Sequence, residues 1–334
     1  MQPNKNIKIF INYFLGPLLF FWLSWSIYRQ IVNQPRLGAS WQQIQASFQS
    51  YKIFFLIGTF CLIPFNWGLE AKKWQVSMHG VYPVSFMKSL KAVLSGVSFS
   101  VTMPNRIGEY LGRMMYLPEG HRLKTISVTL VTSFAQLLIT LVVGTIGLLL
   151  LSDLLMQHFP AFGMWQRFII YGLIILNIFL FLLYFNVAAV DDFFSRWPRL
   201  QRFRYLVAGL HEFDGSLLGK LLLLSLLRYA VFVVQYVLLF LLFDVDVSIP
   251  SVMVVMTVVF LVLAIVPSIA LVEVWLRGEV LILLMGLFST NTLGIGFVAV
   301  TMWFMNLILP AIIGSLLILS IRAFKKRKRG DNFS

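Results

Sequence analysis

Two segments of this chain place a glutamate and an arginine one helical turn apart, inside some of its most apolar sequence. Glu109 precedes Arg113 by four residues, and Glu273 precedes Arg277 by the same spacing. On a water-exposed helix such a pair contributes only about 0.2–0.5 kcal/mol. In apolar membrane segments, ionisable side chains are costly unless they are paired or hydrated, and they usually mark a functional site. The two pairs therefore predict a site at membrane depth.

A proline stands shortly before each Glu–Arg pair. Pro104 precedes Glu109, and Pro267 precedes Glu273. Because proline lacks an N–H group and clashes with the preceding turn, it breaks or kinks a helix. Each segment is therefore predicted to contain a broken helix that carries its Glu–Arg pair.

Arg228 lies midway along another apolar run, too far from either end to extend its guanidinium group to the interface. Gln235 follows seven residues later and shares its helix face. One interpretation is a buried cation that holds an anionic headgroup. The other is an arginine paired permanently with Glu70, Glu109 or Glu273, and the two interpretations can hold in different states.

One polar face interrupts the otherwise apolar third span. Thr129, Ser133, Gln136 and Thr140 follow one another at helical spacing. Such a face can line a hydrated cavity, although hydrogen bonding between helices is the commoner use of polar residues in membranes. Both interpretations stay open at this point.

Two further polar positions have simpler interpretations. Glu70, together with Lys72 and Lys73, is predicted to anchor the inner end of the second span at the membrane interface. Asn306 lies near Pro310 in the last span, and we expect its side chain to hydrogen-bond a backbone carbonyl that the proline leaves free.

The candidate charges at membrane depth carry an excess of one positive charge, because Arg106, Arg113, Arg228 and Arg277 face only three glutamates. Arginine binds phosphate through two parallel N–H bonds. A slightly cationic cavity fits a phosphate-bearing lipid headgroup, and its carboxylates fit a cationic aminoacyl headgroup equally well. The predicted substrate-binding residues are Arg106, Glu109, Arg113, Gln136, Arg228, Gln235, Glu273 and Arg277.

The composition indicates a polytopic membrane protein. Hydrophobic residues make up 59% of the chain and charged residues 12%, whereas soluble domains carry about 25% charged residues. A net charge of +14 is also typical of nucleic-acid binding. Here, however, the basic residues lie between apolar runs, which is a topology signal, and we expect no nucleic-acid partner. The single Cys61 excludes a disulfide within the chain.

Six apolar runs are long enough to cross a bilayer. Only helices or closed barrels satisfy every backbone group in lipid, and the alternating pattern of a barrel is absent. The predicted fold class is therefore all-α. The predicted spans are about 9–28, 53–69, 125–151, 168–187, 217–243 and 293–321.

Two further apolar stretches, about 82–116 and 251–288, contain the prolines and the Glu–Arg pairs. We predict that each forms a re-entrant hairpin, which enters and leaves the membrane on the same side. The alternatives are two ordinary spans in each stretch, or helices that lie in the interface.

Charge placement predicts the orientation of these elements. With two re-entrant stretches, both termini share one face, and most of the 27 Lys and Arg residues lie on it. This face is therefore predicted to be cytoplasmic, in a multi-pass protein of the inner membrane. The two stretches would then dip toward each other from opposite faces, as in an inverted repeat.

We accordingly predict a single membrane domain over residues 1–334. It comprises half-repeats at about 51–187 and 217–321, a cytoplasmic interfacial loop at 188–216 and a basic cytoplasmic tail at 322–334.

Catalytic signatures are absent from the sequence. It contains no nucleotide-binding glycine motif, and its four histidines lack metal-ligand spacing. We therefore predict no cofactor and no enzymatic activity. Without an ATP site, transport would be downhill, coupled to an ion or driven by a partner.

The pattern Pro104-x-Arg106-x-Gly108-Glu109-x-x-x-Arg113, followed by a long apolar span, resembles the membrane region of the lysylphosphatidylglycerol synthase/flippase family. The segment from Pro267 through Glu273 and Arg277, with the last span that follows, is similar to the second motif of the family. Residues 268–272 stand where the family often has a Gly-rich turn. The resemblance covers about residues 50–320.

This resemblance implies a lipid flippase built on two re-entrant elements. Full-length members also carry a cytosolic aminoacyl-transfer domain, which we do not expect in this chain. The first hypothesis is a transporter that moves a polar headgroup, phosphate-bearing or aminoacylated, between leaflets. Its partner would be a membrane phospholipid or another lipid-linked anion, and a homodimer or a membrane partner protein stays open.

Two alternatives belong to other classes. One is an integral-membrane enzyme that acts on lipid-linked substrates. The other is an accessory subunit that binds lipid without transporting it.

Overall fold

The computed structural model describes residues 25, 28–33, 37–102, 107–187, 210–266 and 270–330. Within these ranges the chain forms eleven α-helices and no strand, which confirms the all-α membrane fold. Five helical segments are long and apolar enough to cross a membrane. The predicted first span, 9–28, lies almost entirely outside the described residues. The five segments are Ile53–Ser77, Lys124–His158, Gly163–Phe185, Gly215–Leu242 and Thr292–Ser320.

The helices are numbered here in chain order. A π-helical turn, Phe304–Ile308, joins the last two of them. Their bounds are α1 Leu37–Phe48, α2 Ile53–Ser77, α3 Phe86–Thr102, α4 Ile107–Met114, α5 Lys124–His158, α6 Pro160–Phe185, α7 Gly215–Leu242, α8 Ile249–Ile265, α9 Ala270–Met285, α10 Thr292–Trp303 and α11 Leu309–Gly330.

Helix α2 extends eight residues beyond the predicted span, to Ser77. The prediction ended at residue 69 because the next residues are charged. In the structure, Glu70 and Lys73 are buried, with 6% and 2% of their surface exposed. The predicted role of Glu70 and Lys73 as interfacial anchors is therefore wrong, because both side chains point into the protein.

Helix α1 was not predicted, because residues 29–51 are mostly polar. It buries Ser40, Ile44 and Ser47 and packs against α7 and α10. Small polar residues with one isoleucine form its packed face, so the hydrophobic pattern of the segment is weak.

Both broken stretches form pairs of helices, α3 with α4 and α8 with α9. The breaks at 103–106 and 267–269, which include Pro104, Arg106 and Pro267, lie outside the described residues. The α3–α4 pair is packed through glycines: a Cβ on Gly112 would collide with the backbone of Gly96. Gly108 and Gly112 have the small-xxx-small spacing that lets membrane helices approach closely.

The two halves of the chain pack against each other reciprocally. Helices α2 and α7, which begin the two predicted half-repeats, lie side by side. Helix α3 packs on α11, and α8 packs on α5, so each broken pair docks on a long helix of the other half. Two halves related by a two-fold axis would give this pattern, and the repeat boundaries stay a prediction. Most of the predicted interfacial loop, 188–209, lies outside the described residues.

Two clusters of buried apolar residues form the core. One surrounds α3 and includes residues 218 and 221 of α7. The other surrounds α8 and α9 and includes residues 236, 239 and 240 of α7. The polar residues Ser225, Arg228 and Gln235 lie on α7 between these two sets. The α2–α7 interface is therefore a polar seam between two apolar cores.

Candidate functional site

Glu70 is the centre of a buried ion cluster. Its Oε2 accepts hydrogen bonds from Lys73 Nζ at 2.8 Å and from Arg228 Nη1 at 3.1 Å, and its Oε1 accepts from Arg113 Nη2 at 2.9 Å. The three cations come from α2, α7 and α4. Only 8% of the Glu70 side chain is exposed, so these charges interact in a medium of low dielectric constant.

Glu109 completes what we call the Glu70 cluster: Glu70, Lys73, Glu109, Arg113 and Arg228. Its Oε2 lies 3.6 Å from Arg113 Nη2, farther than the 2.9 Å that separates the same nitrogen from Glu70. Arg113 therefore binds more closely across helices than within its own. Counted over the described residues, three cations and two carboxylates leave the cluster with one excess positive charge.

Aromatic rings and an amide hold the Arg228 guanidinium in place. Its Nε donates to Asn66 Oδ1 at 2.9 Å. The guanidinium carbon lies 5.2 Å from the ring centroid of Trp67 and 5.3 Å from that of Phe232, distances at which cation–π attraction operates. Glu70, one of the three carboxylates proposed as its partner, binds it at 3.1 Å.

A chain of amide side chains continues the polar seam away from the cluster. Asn66 Nδ2 donates to Asn306 Oδ1 at 2.9 Å, and Asn306 Nδ2 donates to Gln235 Oε1 at 3.2 Å. Gln235 Nε2 donates to the carbonyl of Thr59 at 3.2 Å. From Lys73 to Thr59 the seam follows α2 for about 21 Å, at 1.5 Å per residue.

The expected role of Asn306 is wrong. Its side chain hydrogen-bonds Asn66 and Gln235 rather than a backbone carbonyl freed by Pro310. Asn306 lies within the π-helical turn, a feature that often marks a functional site in a membrane or soluble helix.

Several buried N–H donors beside the cluster lack an acceptor among the described residues. They are Nε and Nη1 of Arg113, and the indole nitrogens of Trp67 and Trp74. Trp67, Glu70 and Trp74 lie on one face of α2, at helical spacing. An unmet buried donor costs about 1–3 kcal/mol. A site with unmet donors and excess positive charge is chemically suited to accept an anion.

The second Glu–Arg pair contacts a tyrosine on α7. Arg277 Nη2 lies 2.6 Å from Glu273 Oε1, and Arg277 Nη1 donates to the hydroxyl of Tyr236 at 2.8 Å. Tyr236 adjoins Gln235 on α7 and lies about 12 Å along the helix from Arg228, since each residue rises 1.5 Å. The second pair thus borders the same seam and carries no net charge of its own, and Arg277 Nε is a further buried donor without an acceptor among the described residues.

Gln136 reaches the cluster from the side. Its Nε2 donates to the carbonyl of Ser225 at 3.4 Å, and Ser225 Oγ lies 3.5 Å from Lys73 Nζ. Thr140 Oγ1 donates to the carbonyl of Gln136 in its own helix, whereas Ser133 is exposed. The polar residues of α5 therefore do not act as one hydrated face, and Gln136 makes the interhelical bond that was the alternative.

The structure brings four of the predicted site residues into one network: Glu109, Arg113, Arg228 and Gln235. Gln136 touches this network through Ser225, Glu273 and Arg277 form the neighbouring pair, and Arg106 lies outside the described residues. Glu70, Lys73, Asn66 and Asn306 were missed as site residues. One pattern in the sequence would have predicted the seam. It is the spacing, by seven, four and three residues, of Thr59, Asn66, Glu70 and Lys73.

A metal centre has no support in this part of the chain. Among the described residues, no group of three or more His, Cys, Asp or Glu side chains is placed to hold a metal ion.

Comparison with known proteins gives one family. The family model described as the lysylphosphatidylglycerol synthase TM region matches residues 13–314. It covers both Glu–Arg pairs and the whole polar seam. No curated protein matches the chain.

Proposed function

This chain belongs to the lysylphosphatidylglycerol synthase TM region family, and from that premise we propose that it moves a polar lipid headgroup between the leaflets of a membrane. The headgroup would be phosphate-bearing, with or without an aminoacyl group. Membership of the family supports a lipid-related function in a membrane, and the polar seam supports a path for the headgroup.

The Glu70 cluster is the observation that carries this proposal. It holds three cations against two carboxylates inside the helix bundle, with Arg113 and Lys73 exposing only 3% and 2% of their side chains. A buried charge is costly without a counter-charge. The excess charge would attract an anionic phosphate group, which would accept the unmet hydrogen bonds of Arg113.

The proposed mechanism uses two positions along the seam. The headgroup binds first at the Glu70 cluster and then at the Glu273–Arg277 pair, about 12 Å farther along α7 at 1.5 Å per residue. Glu109 and Glu273 each lie one helical turn from an arginine, and they exchange partners as access alternates. The acyl chains stay in the lipid, and Gln235 and Gln136 line the path.

Helix lengths support re-entry of the first broken pair. At 1.5 Å per residue, the 8 residues of α4 span about 12 Å, far less than the roughly 30 Å of a hydrocarbon core. Helices α8 and α9, with 17 and 16 residues, each reach about 25 Å. We propose that the pairs enter from opposite faces of the inner membrane, with both termini cytoplasmic, an arrangement in keeping with their reciprocal docking.

A vesicle assay tests the transport proposal. The purified full-length chain is reconstituted into vesicles with a fluorescent phosphatidylglycerol, and dithionite quenching reports the labelled lipid that reaches the outer leaflet. We expect the wild type to move this lipid and Arg228→Met to lose at least about thirtyfold in rate, since breaking a buried charge pair costs about 2–5 kcal/mol.

The matched control is Arg122→Met, because Arg122 forms an exposed pair with Glu119. Equal rates for Arg228→Met and Arg122→Met, with both variants folded, would contradict the site assignment. Conversion of the labelled lipid into a new product would instead favour an enzyme. Binding of the lipid without movement would favour an accessory subunit.

A further inference from the structure

Glu70 satisfies all three cations of its cluster at once. Its two carboxylate oxygens together accept from Lys73, Arg113 and Arg228 at 2.8–3.1 Å. Glu109 is a weaker partner, 3.6 Å from Arg113 and 21% exposed. The position that these three cations surround is therefore occupied by the side chain of Glu70.

The carboxylate of Glu70 resembles a phosphodiester in the properties that these cations recognise. Each presents two anionic oxygens, carries one negative charge and accepts paired N–H bonds from arginine. Lys73, Arg113 and Arg228 could therefore hold the two groups by the same contacts. The unmet Nε and Nη1 donors of Arg113 would be available to a group larger than a carboxylate.

We propose that Glu70 is a resident counter-anion, which occupies the headgroup position when the site is empty and is displaced by the phosphodiester of the lipid. This inference rests on the proposed function and adds that Glu70 and the phosphodiester of the lipid compete for the same three cations. Because one anion replaces another, the three cations never lack a partner inside the bundle. The empty protein can therefore change conformation without leaving buried cations uncompensated, a state that is strongly disfavoured.

The competition predicts that removing the carboxylate strengthens lipid binding. Glu70→Gln would raise the excess charge of the cluster from one to two, so tighter binding alone could reflect net charge. The double variant Glu70→Gln/Lys73→Met removes one charge of each sign and leaves the excess at one. It removes the competing negative charge without changing the net charge of the cluster, and it avoids an additional uncompensated cation that could prevent folding.

The experiment measures binding of short-chain phosphatidylglycerol to the purified full-length chain in detergent, with short-chain phosphatidylcholine as the comparison. We expect the double variant to bind phosphatidylglycerol with an at least about tenfold lower dissociation constant than the wild type, a gain of about 1.4 kcal/mol. Glu119→Gln, which removes an exposed carboxylate (89% of its side chain is exposed), should bind like the wild type.

The same variants separate rate from affinity. If Glu70 balances the empty site, transport by the double variant should slow although its affinity rises. Equal or weaker phosphatidylglycerol binding by the double variant, when the wild type does bind and transport this lipid, would overturn the role of Glu70. Absence of binding and transport in the wild type would instead overturn the proposed function itself.

Discussion

The two Glu–Arg pairs have the same spacing in sequence but different partners in the structure. Arg113 lies closer to Glu70 on another helix than to Glu109 on its own, at 2.9 Å against 3.6 Å. Arg277 binds Glu273 at 2.6 Å and otherwise donates to the neutral hydroxyl of Tyr236. The first pair joins a cluster with excess positive charge, whereas the second carries no net charge of its own.

This difference shows that helical spacing alone does not decide what an ion pair does. Both arginines have a glutamate within reach one turn away. Arg113 also binds a further carboxylate, because α2 presents Glu70 to α4 across a buried interface. The electrostatic asymmetry between the halves therefore comes from the neighbouring long helix rather than from the broken helices themselves.

The largest effect is expected from the packing that brings Arg113 to Glu70. In Gly112→Ala the new methyl group would meet the backbone of Gly96, which cannot move aside as a flexible side chain would. We expect the free energy of unfolding to fall by about 3 kcal/mol or more, which is the upper end of the usual cost of overpacking a core.

Thermal unfolding of the purified protein, monitored by size-exclusion chromatography, measures this loss. Gly172→Ala is the control, because no atom lies within 4 Å of the added methyl group. Equal stability of the two variants would show that α3 and α4 are not closely packed, and the geometry of the first pair would then be in question.

The contrast in charge predicts a difference in lipid binding. Arg113→Met removes the excess charge, and we expect phosphatidylglycerol binding to weaken at least about thirtyfold, or about 2 kcal/mol. The double variant Glu273→Gln/Arg277→Met removes a pair that carries no net charge. Replacing a buried ion pair often changes stability little. We expect the affinity of this variant for phosphatidylglycerol to stay within about threefold of the wild type.

Equilibrium binding of short-chain phosphatidylglycerol to both variants distinguishes the two pairs. Similar losses in the two variants would mean that the pairs contribute equally to the site. Slower transport by the double variant at unchanged affinity would agree with a second position on the path.

The smallest effect concerns the amide chain between the two regions. Asn306→Ala removes hydrogen bonds to Asn66 and Gln235, and membrane-embedded side-chain hydrogen bonds contribute about 0.6 kcal/mol on average and at most about 1.7. We expect a correspondingly small fall in the thermal midpoint. A large loss of phosphatidylglycerol binding would show that these amide side chains couple the Glu70 cluster to the Glu273–Arg277 pair more strongly than their hydrogen-bond energies suggest.

The membrane class and the long helices could be predicted because they depend on apolar composition and length. The sequence also indicated that Glu109, Arg113 and Arg228 belong together, since isolated charges in apolar segments need partners. Their assembly in one cluster agrees with that reasoning, although their role in lipid binding stays a prediction.

The sequence left the place of Glu70 ambiguous, because Glu70 was both a possible partner of Arg228 and a possible interfacial anchor. Glu70 lies beside Lys72 and Lys73 near the end of an apolar run, which is the pattern of an interfacial anchor. Only the continuation of α2 to Ser77 and its packing against α7 place Glu70 and Lys73 inside the protein. A run of charges at a helix end does not reveal which neighbour will cover it, whereas the common face of Asn66, Glu70 and Lys73 was a usable signal.

Native mass spectrometry tests the central claim most directly, because it identifies the lipid that the Glu70 cluster retains. The wild type and Arg228→Met would be purified from an equal mixture of phosphatidylglycerol and phosphatidylcholine. The account predicts that the wild type retains phosphatidylglycerol in preference and that Arg228→Met loses this preference. Equal retention of both lipids by the wild type, or an unchanged preference in Arg228→Met, would contradict it.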